Sequence, residues 1–182
     1  TLRSLQEFPA RLTDGRRGLS LERWDSYAHR EVILQMRERV EPRVGEKAWD
    51  LLCRTLNEAR EWTESTEPIL VNGWFQDDTL LVDEVGRIYQ HEFRRVGLGG
   101  RHIDFAWYWL SCRRDAEWKG QLYQIYCSGL ETSGRVRVDW AARSVAIYLA
   151  CLEIARRGGG EEIDGALELL ERGILGGAHL FP

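Results

Sequence analysis

The sequence predicts a mainly α domain with a small β-hairpin, an α+β fold, on three observations. Apolar residues recur at helical spacing through 20–62 and again through 103–175. Between 68 and 93 the period changes to short apolar runs, and glycine-rich stretches at 97–100 and 158–160 punctuate the chain. With 182 residues, 43% hydrophobic and 30% charged, the chain can bury a continuous core without disulfide or metal staples. One domain over 1–182 is expected, with N-terminal helices (1–66), a loop and hairpin (67–100) and a C-terminal helical bundle (101–182).

Two helices are expected in the first region. Ser20 serves as an N-cap, Pro42 and Gly45 break the run, and Ala48, Leu52, Ala59 and Trp62 share a face. The runs Ile69-Leu70-Val71 and Leu80-Leu81-Val82, followed by Asp83-Glu84-Val85-Gly86 and Arg87-Ile88-Tyr89, read as a hairpin with Gly86 closing its turn. Gly97-Leu98-Gly99-Gly100 lacks both glycine-rich nucleotide-binding patterns and reads as a turn where backbones pack closely. Helices follow over 103–112, 116–130, 138–156 and 163–175, the last with Ile163, Ala166, Leu167, Leu170 and Ile174 on one face. Gly158-Gly159-Gly160 is the strongest helix stop, and Trp107, Trp109, Trp118 and Trp140 are expected in the core or at its rim.

Charge and cysteine usage exclude several functions. A net charge of −4 with scattered arginines offers no basic stripe for nucleic acid. No apolar run is long enough to span a bilayer, and Thr1-Leu2-Arg3-Ser4 lacks the apolar core of a signal peptide, so a cytoplasmic setting is expected with no membrane partner. Cys53, Cys112, Cys127 and Cys151 form no C-x-x-C pair and sit in apolar helical contexts, as buried thiols do. His91, His102 and His179 belong to no nucleophilic triad visible in the sequence, and His102 is expected to make a capping interaction near Asp104.

Read as one unit, residues 69–83 carry Ile69-Leu70-Val71-Asn72-Gly73-Trp74, then Thr79 and a short apolar strand ending in Asp83. Beyond them come Gly86-Arg87-Ile88, His91-Glu92-Phe93, Gly97-Leu98-Gly99 and Ile103-Asp104-Phe105-Ala106-Trp107. This order and spacing resembles the C-terminal lobe of aminoglycoside-phosphotransferase and choline-kinase-like enzymes, which share the protein-kinase-like fold. In that family the pattern is apolar-apolar-Val-His-Gly-Asp, four residues, Asn, an apolar strand ending in Asp, a metal-binding Asp, a Gly-x-Gly turn and an Asp-led helix. The clear match covers 68–110.

The resemblance places the family's catalytic aspartate at Trp74, its histidine at Asn72, its metal-binding asparagine at Thr79 and its second metal-binding aspartate at Glu92. An indole cannot accept a proton. Phosphoryl transfer rests on positioning and electrostatic stabilisation, so the resemblance implies a pseudokinase: a non-catalytic binding or scaffolding unit with no expected cofactor. The family's N-lobe is expected to be absent, because the 67 residues before Pro68 read as helices. Another polypeptide, or that N-lobe, is expected to cover a surface centred on Trp74 and Phe75, unless Trp74 turns inward to fill the vacated site. Asp104 matches the family's loop-bracing aspartate, expected as a buried acceptor or a helix N-cap. Two alternatives stand beside this reading. One is a true small-molecule phosphotransferase using ATP and magnesium, its N-lobe lying outside this sequence and Asp77, Asp78 and Glu92 serving as metal ligands; the other is a helical interaction subunit unrelated to kinases.

Overall fold

A computed structural model describes residues 22–64, 68–73, 75–76, 80–90, 96–112, 114–157 and 162–181. Among them are five short strands and seven α-helices. The chain opens with β1 (Glu22–Trp24), α1 (Ser26–Gln35), α2 (Arg37–Val44) and α3 (Glu46–Glu64). It continues through β2 (Ile69–Val71), β3 (Leu80–Val82), β4 (Ile88–Gln90) and β5 (Gly97–Gly99). The last elements are α4 (Ile103–Ser111), α5 (Ala116–Cys127), α6 (Thr132–Arg156), α7 (Asp164–Leu175) and a 3₁₀ turn at Gly177–His179. Mainly helical with small sheets, the chain has the expected α+β class. No helix among the described residues is long and apolar enough to cross a membrane.

The N-terminal region departs from the expected two helices. Ser20 lies outside the described residues; a strand occupies 22–24, and Asp25 is the cap that starts α1, its Oδ1 accepting from the Ala28 N–H at 3.0 Å. Pro42 sits inside α2 instead of ending it; the break falls at Gly45, which takes φ 85°. On α3 the buried stripe is Trp49, Leu52, Leu56 and Ala59, while Trp62 is 41% exposed. Leu52 and Ala59 lie on the buried face as expected, whereas Ala48 is only half-buried beside Trp49 and Trp62 is exposed, because a tryptophan at helical spacing counts as apolar wherever it points.

The second correction concerns Gly97-Leu98-Gly99. It is not a turn but the central strand of a three-stranded sheet, ordered β1-β5-β2. β1 runs parallel to β5 with Trp24 opposite Gly99, and β2 runs antiparallel to it with Ile69 opposite Gly99 and Val71 opposite Gly97. The expected close packing explains the glycine: a Cβ on Gly99 would lie 2.2 Å from the Trp24 carbonyl oxygen and 2.8 Å from Val71 Cγ2. Trp24, Ile69 and Val71 form a small apolar cluster of their own. The hairpin has the expected form, β3 pairing antiparallel with β4 and Gly86 turning at φ 78°.

The main core is built around α6, which packs against α1, α3, α4 and α7. Val138, Ala142, Val145, Ala146, Ile147, Ala150 and Cys151 are all fully buried along it. A helix that is apolar on most sides belongs in the interior, and its alanines let neighbouring axes come close. Gly173 of α7 marks the closest crossing, where a Cβ would stand 2.9 Å from Ile147 Cγ1. α6 begins at Thr132, ahead of the apolar stripe expected from 138, because its first turns are polar and carry no periodic signal. Trp107 and Trp109 on α4 are buried in this core, and Trp140 lies at its edge with the Arg143 guanidinium 3.9 Å above its ring. The 158–160 glycines lie outside the described residues, just past the last turn of α6.

Candidate functional site

The candidate site lies where β2 ends and α4 begins. β2 is fixed by its ladder to β5, and directly after it Asn72 is buried while Gly73 takes φ 63°, a left-handed conformation that glycine adopts without strain. Two successive backbone N–H groups leave the ladder there and need acceptors. Asp104, in the first turn of α4, supplies both: Oδ2 accepts from the Asn72 N–H and Oδ1 from the Gly73 N–H, each at 3.0 Å. The carboxylate is an acceptor but not an N-cap. His102 occupies the cap position of α4 and makes no side-chain capping bond.

Burial pushes the Asp104 carboxyl up to about 6, and the two backbone N–H groups hold it lower than burial alone would. It is therefore ionised at neutral pH, which keeps both of its bonds charge-assisted. With both oxygens engaged by backbone N–H groups, Asp104 positions the turn at Asn72 and Gly73.

Phe75 corrects an expectation. Predicted at the centre of an exposed partner surface, it is 5% exposed and belongs to the main core. Its ring meets Tyr108 of α4 edge-on at 5.5 Å, so the loop is held to α4 at two points, by the Asp104 bonds and by this ring pair. Asn72, Phe75 and Asp104 are thus brought together around one helix start. Trp74, Asp77, Asp78, Thr79, Glu92 and His91 lie outside the described residues. Among the described residues no group of three or more His, Cys, Asp or Glu side chains is arranged to hold a metal.

The histidines differ from expectation. His102 does not pair with Asp104; its Nδ1 lies 2.9 Å from the Tyr126 hydroxyl, and burial, with the Arg101 and Arg137 charges, pushes it down to about 4. His179 is exposed on the 3₁₀ turn, where its carbonyl accepts from Arg172 Nε at 2.7 Å.

Sequence reasoning passed over His29. It is fully buried on α1, stacked on Tyr148 at 4.6 Å, with Nδ1 2.9 Å from Ser144 Oγ of α6. Burial pushes its imidazole down to about 4, against a weaker upward pull from Asp25. Its Nε2 and the hydroxyl of Ser26, one turn earlier, are buried without a hydrogen-bond partner among the described residues. The signal was present: Ser26, His29 and Ile33 follow helical spacing and put two polar groups on an inward face.

The chain matches no family model and no curated protein. Among the described residues of the site, a carboxylate braces a glycine turn after a strand, and an aromatic pair anchors Phe75 to α4.

Proposed function

We propose that this chain is a phosphotransferase-like domain without phosphotransferase activity, a pseudokinase used for binding or scaffolding. Asp104 carries the reading. It accepts from the Asn72 and Gly73 N–H groups, and so fixes the backbone that leads into position 74. The resemblance puts a bracing aspartate at this place in the kinase-like lobe, and puts the catalytic aspartate at position 74, where this chain has tryptophan. Backbone braced up to Gly73, with an indole where the family has its catalytic carboxylate, supports a frame retained for shape. Trp74 then contributes a large amphipathic ring, of the kind enriched at binding hot spots, for another polypeptide to cover. Phe75 is not part of that surface, being packed on Tyr108.

Thermal melts test the proposal, because a ligand that binds the native state selectively must stabilise it. Melting curves with and without ATP and magnesium are expected to coincide. A magnesium-dependent rise of several degrees would overturn the reading and favour a true phosphotransferase.

A further inference from the structure

The end of α7 and the turn after it are clamped to α6. Arg143 donates through Nε to the Gly173 carbonyl at 3.1 Å and through Nη2 to the Ile174 carbonyl, and the Gly177 N–H donates to Asp139 Oδ1 at 2.7 Å. Gly176 and Gly177 take φ 65° and 54°, left-handed values that reverse the chain sharply. Arg172 holds the same turn from α7, its Nε donating to the His179 carbonyl at 2.7 Å. Leu180 and Phe181 are buried as a result, with Phe181 5.3 Å from the Trp109 ring and stacked on Tyr123 at 4.3 Å.

Between this turn, α4, α5 and α7 lies a cavity of about 250 Å³. Trp109 and Leu110 of α4, Leu169 of α7, Leu180 and Phe181 give it apolar walls, while Lys119 of α5 and Arg172 of α7 bring two cations to its lining. Lys119 Nζ sits 5.9 Å from the centre of the Trp109 ring, a cation–π distance. The partners the structure gives these two groups, a ring face and a backbone carbonyl, are dipoles that carry no counter-charge. Two positive groups from two helices thus border one apolar space, and hydrogen bonds fix its wall before any ligand arrives. Such preorganisation lowers the cost of binding.

We propose that this cavity binds a small carboxylate with an apolar body, the carboxylate meeting Lys119 and Arg172 and the body lying against Trp109 and Phe181. The volume holds the equivalent of about eight water molecules, which suits a body of about six carbons with its head group. An arginine whose Nε is engaged still presents its Nη groups, and these together with a lysine ammonium match the two oxygens of one carboxylate. The site involves neither Asp104 nor the turn at 72–73, and it goes beyond the pseudokinase reading.

The test is a titration of the whole, isotope-labelled chain with sodium hexanoate, and separately with hexanol, followed by NMR chemical shifts. Hexanoate is expected to bind with a Kd on the order of 1 mM, as its few heavy atoms allow, and hexanol about tenfold more weakly. Lys119→Gln is expected to weaken hexanoate about tenfold, the cost of one charge-assisted hydrogen bond, and to leave hexanol unchanged. Lys47→Gln, the same change of charge at an exposed position on α3, keeps the affinity of the parent chain. Ala116→Trp, at an exposed residue on the cavity lining, fills the space and is expected to abolish binding of both probes. No hexanoate binding up to about 10 mM, equal affinity for hexanoate and hexanol, or an equal loss in the two lysine variants would overturn the proposal. Should Lys119→Gln fail to fold, Ala116→Trp decides: retained hexanoate binding in that variant puts the ligand outside this cavity. The titration contains no magnesium or nucleotide, so its failure and that of the pseudokinase reading are separate results.

Discussion

The helical core around α6 and the backbone turns at 72–73 and in the β3–β4 hairpin are held by different forces. In the core, Trp107, Ile147, Val145 and Ala150 are fully buried, and order follows from apolar surface removed from water. In the hairpin, Leu81, Val82, Val85 and Tyr89 are 49–70% exposed, so packing contributes little. Two carboxylates organise the backbone there instead. Asp104 accepts from Asn72 and Gly73, and Asp83 accepts from the Val85 and Arg87 N–H groups at 3.0 and 2.8 Å and from the Tyr89 hydroxyl at 3.1 Å. The Arg87 N–H, foremost among these bonds, holds the Asp83 carboxyl below its ordinary range. The same chain thus uses area where helices meet and directed hydrogen bonds where the backbone must turn. Mutations in the two regions should differ in size for that reason.

The largest effect is expected in the core. Trp107→Ala removes a fully buried indole and leaves a cavity among His29, Tyr148 and their neighbours. A loss of about 3–5 kcal/mol is expected from the denaturant midpoint at unchanged m-value. A loss below about 1 kcal/mol would mean the core relaxes around the deletion and that the contrast between the regions is overdrawn.

Next is the buried polar pair inside that core. His29 has a folded pKa of about 4 against an ordinary 6.5, so the unfolded chain binds the extra proton first. The His29 contribution is complete above pH 6.5 and is lost as pH falls towards 4, a change on the order of 3 kcal/mol. His102 works in the same direction. Asp104 works in the opposite one: its folded pKa is raised to about 6, so its contribution is greatest below its ordinary 3.8 and falls as pH rises through 6. His29→Phe, which keeps a ring against Tyr148, is expected to flatten the pH dependence of stability between 6.5 and 4. An unaltered slope would show that the imidazole does not stay neutral in the fold.

Asp104→Ala comes third. It leaves the Asn72 and Gly73 N–H groups without their acceptor and is expected to cost about 1–3 kcal/mol by urea unfolding. Val82→Thr on the exposed hairpin, as the matched control, is expected to stay within about 0.5 kcal/mol. Equal costs for the two would place the brace outside the stabilised part of the fold.

Much of this was legible in the sequence because it is local. Helices over the C-terminal half, the Gly86 turn and the burial of the Trp107 and Trp109 rings all follow from spacing and residue type within a few positions. A carboxylate at 104, just after the chain leaves a glycine stretch and opens a helix, was also visible as a residue with a structural duty. Other features were hidden because they depend on residues far apart in the chain. Gly97-Leu98-Gly99 reads as a turn until Trp24 and Val71 are placed on either side of it, since glycine is favoured both in turns and where backbones crowd. Phe75 reads as surface until Tyr108 is brought beneath it.

By itself the sequence determined the class of fold, the order of most elements and which residues had the chemistry to act. Tertiary structure decided the partners. It joined Asp104 to Asn72 and Gly73 and His29 to Ser144, and it brought Lys119 and Arg172 to one cavity. The physical reason is range: periodicity and capping are set by neighbours along the chain, whereas a hydrogen bond, a desolvated charge or a forbidden Cβ depends on which distant segment the packed core brings into contact.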